Sequence, residues 1–182
     1  METEMDKIEK MKEWTNGITD EDTPLLQYIK TIGNMEKQSR PEVGAIYEWI
    51  LANGKHYVGT DMGLADEVVE ASYVKPRLKD CYYSSMVLFG HLQYVEGWAN
   101  LVIPLPHAWN TINEQVVDVT MTIPEHRDSE FKDFTNQEYF GVEIPKDWIM
   151  DNLGIDTKYR IKNTAGPFIW DYALHCMKQE EE

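Results

Sequence analysis

Basic residues are scarce in this chain: 17 Lys and Arg stand against 32 Asp and Glu, a net charge of −15 over 182 residues. That balance excludes an electrostatic grip on nucleic-acid phosphates or on an anionic membrane. Cysteine is scarcer still, with only Cys81 and Cys176, so no disulfide framework is expected. No apolar run approaches the roughly 18 residues of a membrane span. The opening METEMDKIEKMKEW is acidic and has no apolar stretch of a secretory leader. Together these point to a cytoplasmic protein whose thiols stay reduced. His56, His91, His126 and His175 lack metal-ligand spacing, and Gly59–Gly63 lacks the lysine of a phosphate-binding loop. Neither a metal nor another cofactor is expected.

Apolar residues make up 42% of the chain and aromatics 12%, enough for a real core at this length. We read residues 1–20 as a charged N-terminal segment, 21–178 as a single α+β domain, and 179–182 as an acidic tail. Met5, Ile8 and Met11 suggest a short amphipathic helix. Asp22-Thr23-Pro24 starts a second helix, expected to end near Gly33-Asn34. Ser39 is placed to cap a third helix with Pro41 in its first turn and Asn53-Gly54 at its end. Residues 55–80 read as loops with a helix over Leu64–Ala71. Asp80 is placed to cap a helix that begins at Cys81. Strands are expected at Leu92–Leu101, His107–Thr111 and Gln115–Thr122, with Pro104 and Pro106 breaking the chain between the first two. The text after Pro124 reads as loop. Helices are expected over Glu143–Leu153 and Trp170–Met177, with a strand near Tyr159-Arg160-Ile161.

Within PLPHAWNTINEQVVDVT, residues 104–120, Asp118 interrupts a run of valines. Strands are poor in aspartate, so it needs a turn or a partner. If the two runs pair through a tight turn near Asn113, any even-numbered loop puts His107, Trp109 and Asp118 on one face. An ionised aspartate there fixes the imidazole tautomer. Cys81 is the natural third member, because a helix N-terminus and a nearby imidazolium both favour the thiolate.

Cys81 at a helix start, His107-Ala108-Trp109, and Val116-Val117-Asp118-Val119-Thr120 resemble the core of the transglutaminase-like branch of the papain-like superfamily. YVEGW at 94–98 is also similar to that core. With YFGV at 139–142, the chain is similar to a set of small phage and bacterial proteins of undefined activity. The resemblance covers roughly residues 78–122. Val119 follows Asp118 where that core carries proline, and Asp80 precedes Cys81.

The resemblance implies a helix-borne cysteine on a small antiparallel sheet carrying the His and Asp. It implies a cysteine-dependent hydrolase or acyltransferase acting on an amide-type carbonyl of a protein, peptide or small amide. Cys81, His107 and Asp118 are its expected catalytic residues. Candidates to contact substrate or oxyanion are Tyr82, Trp109, Asn110, Asn100 and Glu96, with Tyr57 and Tyr73 as further side-chain donors. Two other readings stand beside it: a non-catalytic acidic binding or inhibitory protein on the same scaffold, and a metal-dependent hydrolase using Cys81, His107 and another histidine.

Overall fold

Threonine and proline set the first long helix. In the computed structural model, which describes residues 4–72, 74–101, 103–127, 137–152 and 167–180, Thr23 Oγ1 accepts from Leu26 N at the start of α2, Pro24–Ser39. It follows α1, Glu4–Trp14, on which Met11 is exposed, and precedes α3, Pro41–Asn53. The described residues of Met1–Gly54 and Ala173–Glu182 form one compact unit, and those of Lys55–Tyr172 form another.

In the first unit, α2 runs through Gly33 and Asn34 instead of ending there. Gly33 lies under Tyr47 of α3, where an added Cβ would come 2.9 Å from the Tyr47 Cβ. The glycine lets two helices approach and does not end one. Ser39 does not cap α3. It is the last residue of α2, its hydroxyl donates to Met35 O at 3.2 Å, and Arg40 holds the cap position before Pro41. Leu25, Ile29, Ile46 and Ile50 are buried from these helical spacings.

The second unit is built on five antiparallel strands: β1 Lys55–Val58, β2 Gln93–Asn100, β3 Pro104–Ile112, β4 Gln115–Val117 and β5 Glu138–Ile144. Their order is β1-β5-β2-β3-β4. The sheet curls until its two edges touch, through a bridge between Thr60 and Val116 and a bond from Asp61 N to Val116 O at 3.2 Å. Side-chain alternation then sends Tyr57, Val95, Ala99, Trp109, Val116 and Tyr139 into one concave core. On the opposite face Ala108 and Asn110 carry α5, Cys81–Leu88. Ser85 Oγ donates to Ala108 O at 3.0 Å, and Asn110 Nδ2 donates to Ser85 O at 3.1 Å. Helix α4, Met62–Ala71, is capped by Asp61, whose Oδ1 accepts from Leu64 N at 3.0 Å.

Several expectations change. Pro104 and Pro106 do not break the chain; both lie inside β3, paired with Asn100 and Trp98 of β2. Strand β4 pairs only with residues 110–112, so the far edge at both prolines has no ladder to interrupt. The strand expected over Gln115–Thr122 stops at Val117, and Val119–Thr122 form a 3-10 turn. Strands β1 and β5 were not expected. Glu143 and Ile144 are strand rather than helix because the residue before a proline is held extended. Helix α7, Lys146–Asn152, starts only after Pro145. Pro124–Arg127 forms a one-turn helix, α6, and Ile169–Glu180 forms α8. The strand expected near Tyr159–Ile161 lies outside the described residues. No helix among those described is long and apolar enough to cross a membrane.

Candidate active site

Asn113 and Glu114 both have positive φ, 50° and 67°, and form the two-residue turn between β3 and β4. That turn type matches the twist of paired strands. Its register pairs Ile112 with Gln115 and Asn110 with Val117. One further step sets Asp118 across from Trp109, diagonal to His107 and on the same face. At that point the carboxylate ends the strand itself. Oδ1 accepts from Thr120 N at 3.1 Å and from Thr120 Oγ1 at 2.6 Å, which starts the 3-10 turn. Oδ2 meets His107 Nε2 at 2.6 Å and accepts from Tyr139 Oη at 3.2 Å. Asp118 has no exposed surface, and His107 is 6% exposed.

Cys81 is the first residue of α5, reached through Lys79, which holds a left-handed φ of 63°. Asp80 occupies the cap position, but its carboxylate makes no hydrogen bond to the helix start, contrary to its expected role. Cys81 lies beside the His107 ring, close enough for each to shift the other's titration. Since Nε2 is committed to Asp118, Nδ1 is the nitrogen left for the sulfur.

The electrostatics follow from this series. Burial pushes the Cys81 thiol up, but the His107 hydrogen bond and charge, with a hydrogen bond from the Ala108 backbone, hold it below its ordinary value. Burial disfavours a charged His107, yet Asp118 and the Cys81 sulfur raise the ring to about 10. Burial also opposes ionised Asp118, and His107 and Thr120 overcome it, lowering the carboxyl. All three shifts run in the direction of a thiolate–imidazolium pair backed by a carboxylate.

The Cys81 and His107 side chains line a cleft of about 320 Å³. Tyr82 and Thr120 line it too, as do Lys79 and His126, and the other lining residues are apolar. Of the other candidates, only Tyr82 is there. Trp109 is fully buried in the sheet core, its ring stacked on His107 at 6.3 Å and 18°. Asn110 is spent on Ser85 beneath α5. Glu96 is buried on the face opposite His107, where Tyr94 Oη donates to it at 2.6 Å and Ile169 N at 2.9 Å. Asn100 ends β2 opposite Pro104 and is not among the described residues lining the cleft. Tyr57 donates to Glu143 at 3.0 Å, and Tyr73 lies outside the described residues. Among the described residues no group of three His, Cys, Asp or Glu side chains is arranged to hold a metal ion.

Sequence reasoning missed the support behind Asp118. Tyr139 on β5 shares a 2.8 Å hydrogen bond with Thr60, just after β1, and both are buried. The donor order consistent with the carboxylate is Thr60 to Tyr139 to Asp118. Tyr139→Phe removes a hydrogen bond to a charged acceptor and should lower stability by about 2 kcal/mol at neutral pH, read from the urea midpoint. The loss should shrink in acid, as Asp118 becomes protonated below its lowered pKa.

Two glycines make room for these rings. Gly97 and Gly141 face each other across β2 and β5, and Gly97 also pairs with His107. A Cβ on Gly141 would meet Glu96 O at 2.4 Å and the Trp109 ring at 2.6 Å. The glycines of YVEGW and YFGV are thus one structural feature, a slot under the His107–Trp109 stack. Compared with known proteins, the chain matches no protein-family model, no curated protein and no solved structure.

Proposed function

We propose that this chain is a cysteine-dependent hydrolase or acyltransferase on a transglutaminase-like, papain-like scaffold. Cys81 is the nucleophile, His107 the general base and acid, and Asp118 the group that orients the ring. The observation that carries the reading is a thiol in a cleft wall beside a buried imidazole, which in turn meets a buried carboxylate at 2.6 Å. Such a series has a chemical use in the order found here.

The Cys81 proton rests on His107 Nδ1. The thiolate attacks a carbonyl carbon, forming a C–S bond and placing the electron pair on oxygen. We assign that oxyanion to the backbone N–H of Cys81, which as the first residue of α5 has no intrahelical partner. As the oxyanion collapses, the bond to the leaving nitrogen or oxygen breaks and the imidazolium gives that atom its proton. An acyl-thioester remains. His107 then takes a proton from water or from an amine, which attacks the thioester and returns the sulfur as thiolate. Water completes hydrolysis; an amine completes transfer.

Iodoacetamide labelling against pH tests the pair directly. In a Cys176→Ser background, Cys81 should stay reactive well below the free-thiol pKa of roughly 8.5. His107→Ala should return its labelling midpoint to that range. A midpoint at the free-thiol value in both proteins would refute an activated nucleophile and leave a binding protein on the same scaffold.

A further inference from the structure

We infer that the substrate's acyl group is a short apolar chain, which occupies the cleft beside Cys81. This rests on the reading of Cys81 as nucleophile, because whatever fills the cleft is then attached to the attacked carbonyl. Six residues make its apolar wall: Leu78, Tyr82, Leu101, Leu105, Pro106 and Met121. His126 and the Tyr82 hydroxyl add polar atoms to the lining, but the polar groups of the base, Thr120 and His107, are already committed. Thr120 Oγ1 donates to Asp118, and both His107 nitrogens are used by Asp118 and Cys81. A carboxamide side chain lying there would give up water for few replacement partners, whereas a hydrocarbon gives up nothing.

Leu78 and Leu105 are 52% and 42% exposed. Large apolar side chains left in water beside a nucleophile gain from a ligand that covers them. The volume, about 320 Å³, sits at the small end of ligand sites, which suits one short chain and not a length of folded polypeptide. Lys79 is exposed at the rim and keeps its ammonium in water.

The test is a series of p-nitrophenyl esters, acetate, butyrate and hexanoate, with the Cys81→Ala rate subtracted. Values of kcat/KM should rise along the series by about fourfold per methylene buried. Leu105→Ser and Leu78→Ser, both at exposed positions, should lower the hexanoate-to-acetate ratio. A flat or falling series, with Cys81 still labelling at low pH, overturns the inference and leaves the nucleophile standing. So does a rising series whose slope neither leucine variant changes, since the chain then binds elsewhere. A Cys81 that labels as an ordinary thiol and turns over no ester overturns both readings.

Discussion

Replacing Asp118 by asparagine should lower kcat by about a thousand- to ten-thousandfold while the protein stays folded. The reason lies in which atoms donate. Thr120 presents two donors to Oδ1, so the asparagine carbonyl is held there. The amide nitrogen then replaces Oδ2 and points at His107 Nε2. It can only donate, so Nε2 must accept, and the ring proton moves to Nδ1. That nitrogen is the one left for the Cys81 sulfur and can no longer take its proton. Tyr139 adapts, because its hydroxyl also lies 3.2 Å from Gln137 Oε1 and can donate there instead. Steady-state turnover of an ester, beside a urea midpoint, separates the two effects. Asp118→Ala has no such adaptation. It strands a buried imidazole and the Thr120 donors, and should remove about 3–5 kcal/mol of stability.

The same pair sets a pH signature. Asp118 has a lowered folded pKa, so its contribution is full above the ordinary carboxyl value of 3.8 and fades as pH falls through the lower one. His107 has a raised folded pKa, so its contribution is full below 6.5 and fades as pH rises through about 10. The stability gap between the native chain and Asp118→Asn should therefore be widest between about pH 4 and 6.5, and narrow towards 10.

Much of the local geometry near His107 was legible because it depends only on parity. Any even hairpin loop puts residues 107, 109 and 118 on one face, whatever the turn. The strand through Thr122 was not legible, since Asp118 has two possible uses in sequence, as ladder member or as cap. Thr120, two residues on, decides for the cap by offering both its N–H and its hydroxyl. The start of α5 at Cys81 was legible from Asp80, a cap-type residue that does hold the cap position. The behaviour of Asp80 was not, because capping depends on where its side chain turns. Tyr139 reaches Asp118 from β5, with Thr60 and Gln137 behind it, and that end of the β1–β5 pair lies near the residues after β4 only because the sheet curls. No local pattern carries that information. Strand β1 has four residues, and β5 is split by Gly141, so neither shows the alternation that marks longer strands.

Trp109→Ala should be the most destabilising change in the sheet core, by about 3–5 kcal/mol. The ring has no exposed surface and touches three others: Tyr139 at 5.1 Å, Tyr57 at 5.9 Å and His107 at 6.3 Å between centroids. Its loss opens a cavity that these rings cannot all close, and it frees one side of His107. Trp109→Phe should cost much less than its volume change suggests. The indole Nε1 is buried without a hydrogen-bond partner, so phenylalanine removes an unsatisfied donor along with the lost contacts. Gly141 supplies the converse experiment. Gly141→Ala forces a methyl against the Trp109 ring and against Glu96 O, and should cost about 1–3 kcal/mol. Combining it with Trp109→Phe relieves the ring clash but not the 2.4 Å approach to a backbone oxygen. The double variant should therefore be more stable than the sum of the single losses allows, yet less stable than Trp109→Phe alone, with chemical denaturation as the measure. Strict additivity would mean that the glycine serves the backbone approach alone, and not the stack that holds His107.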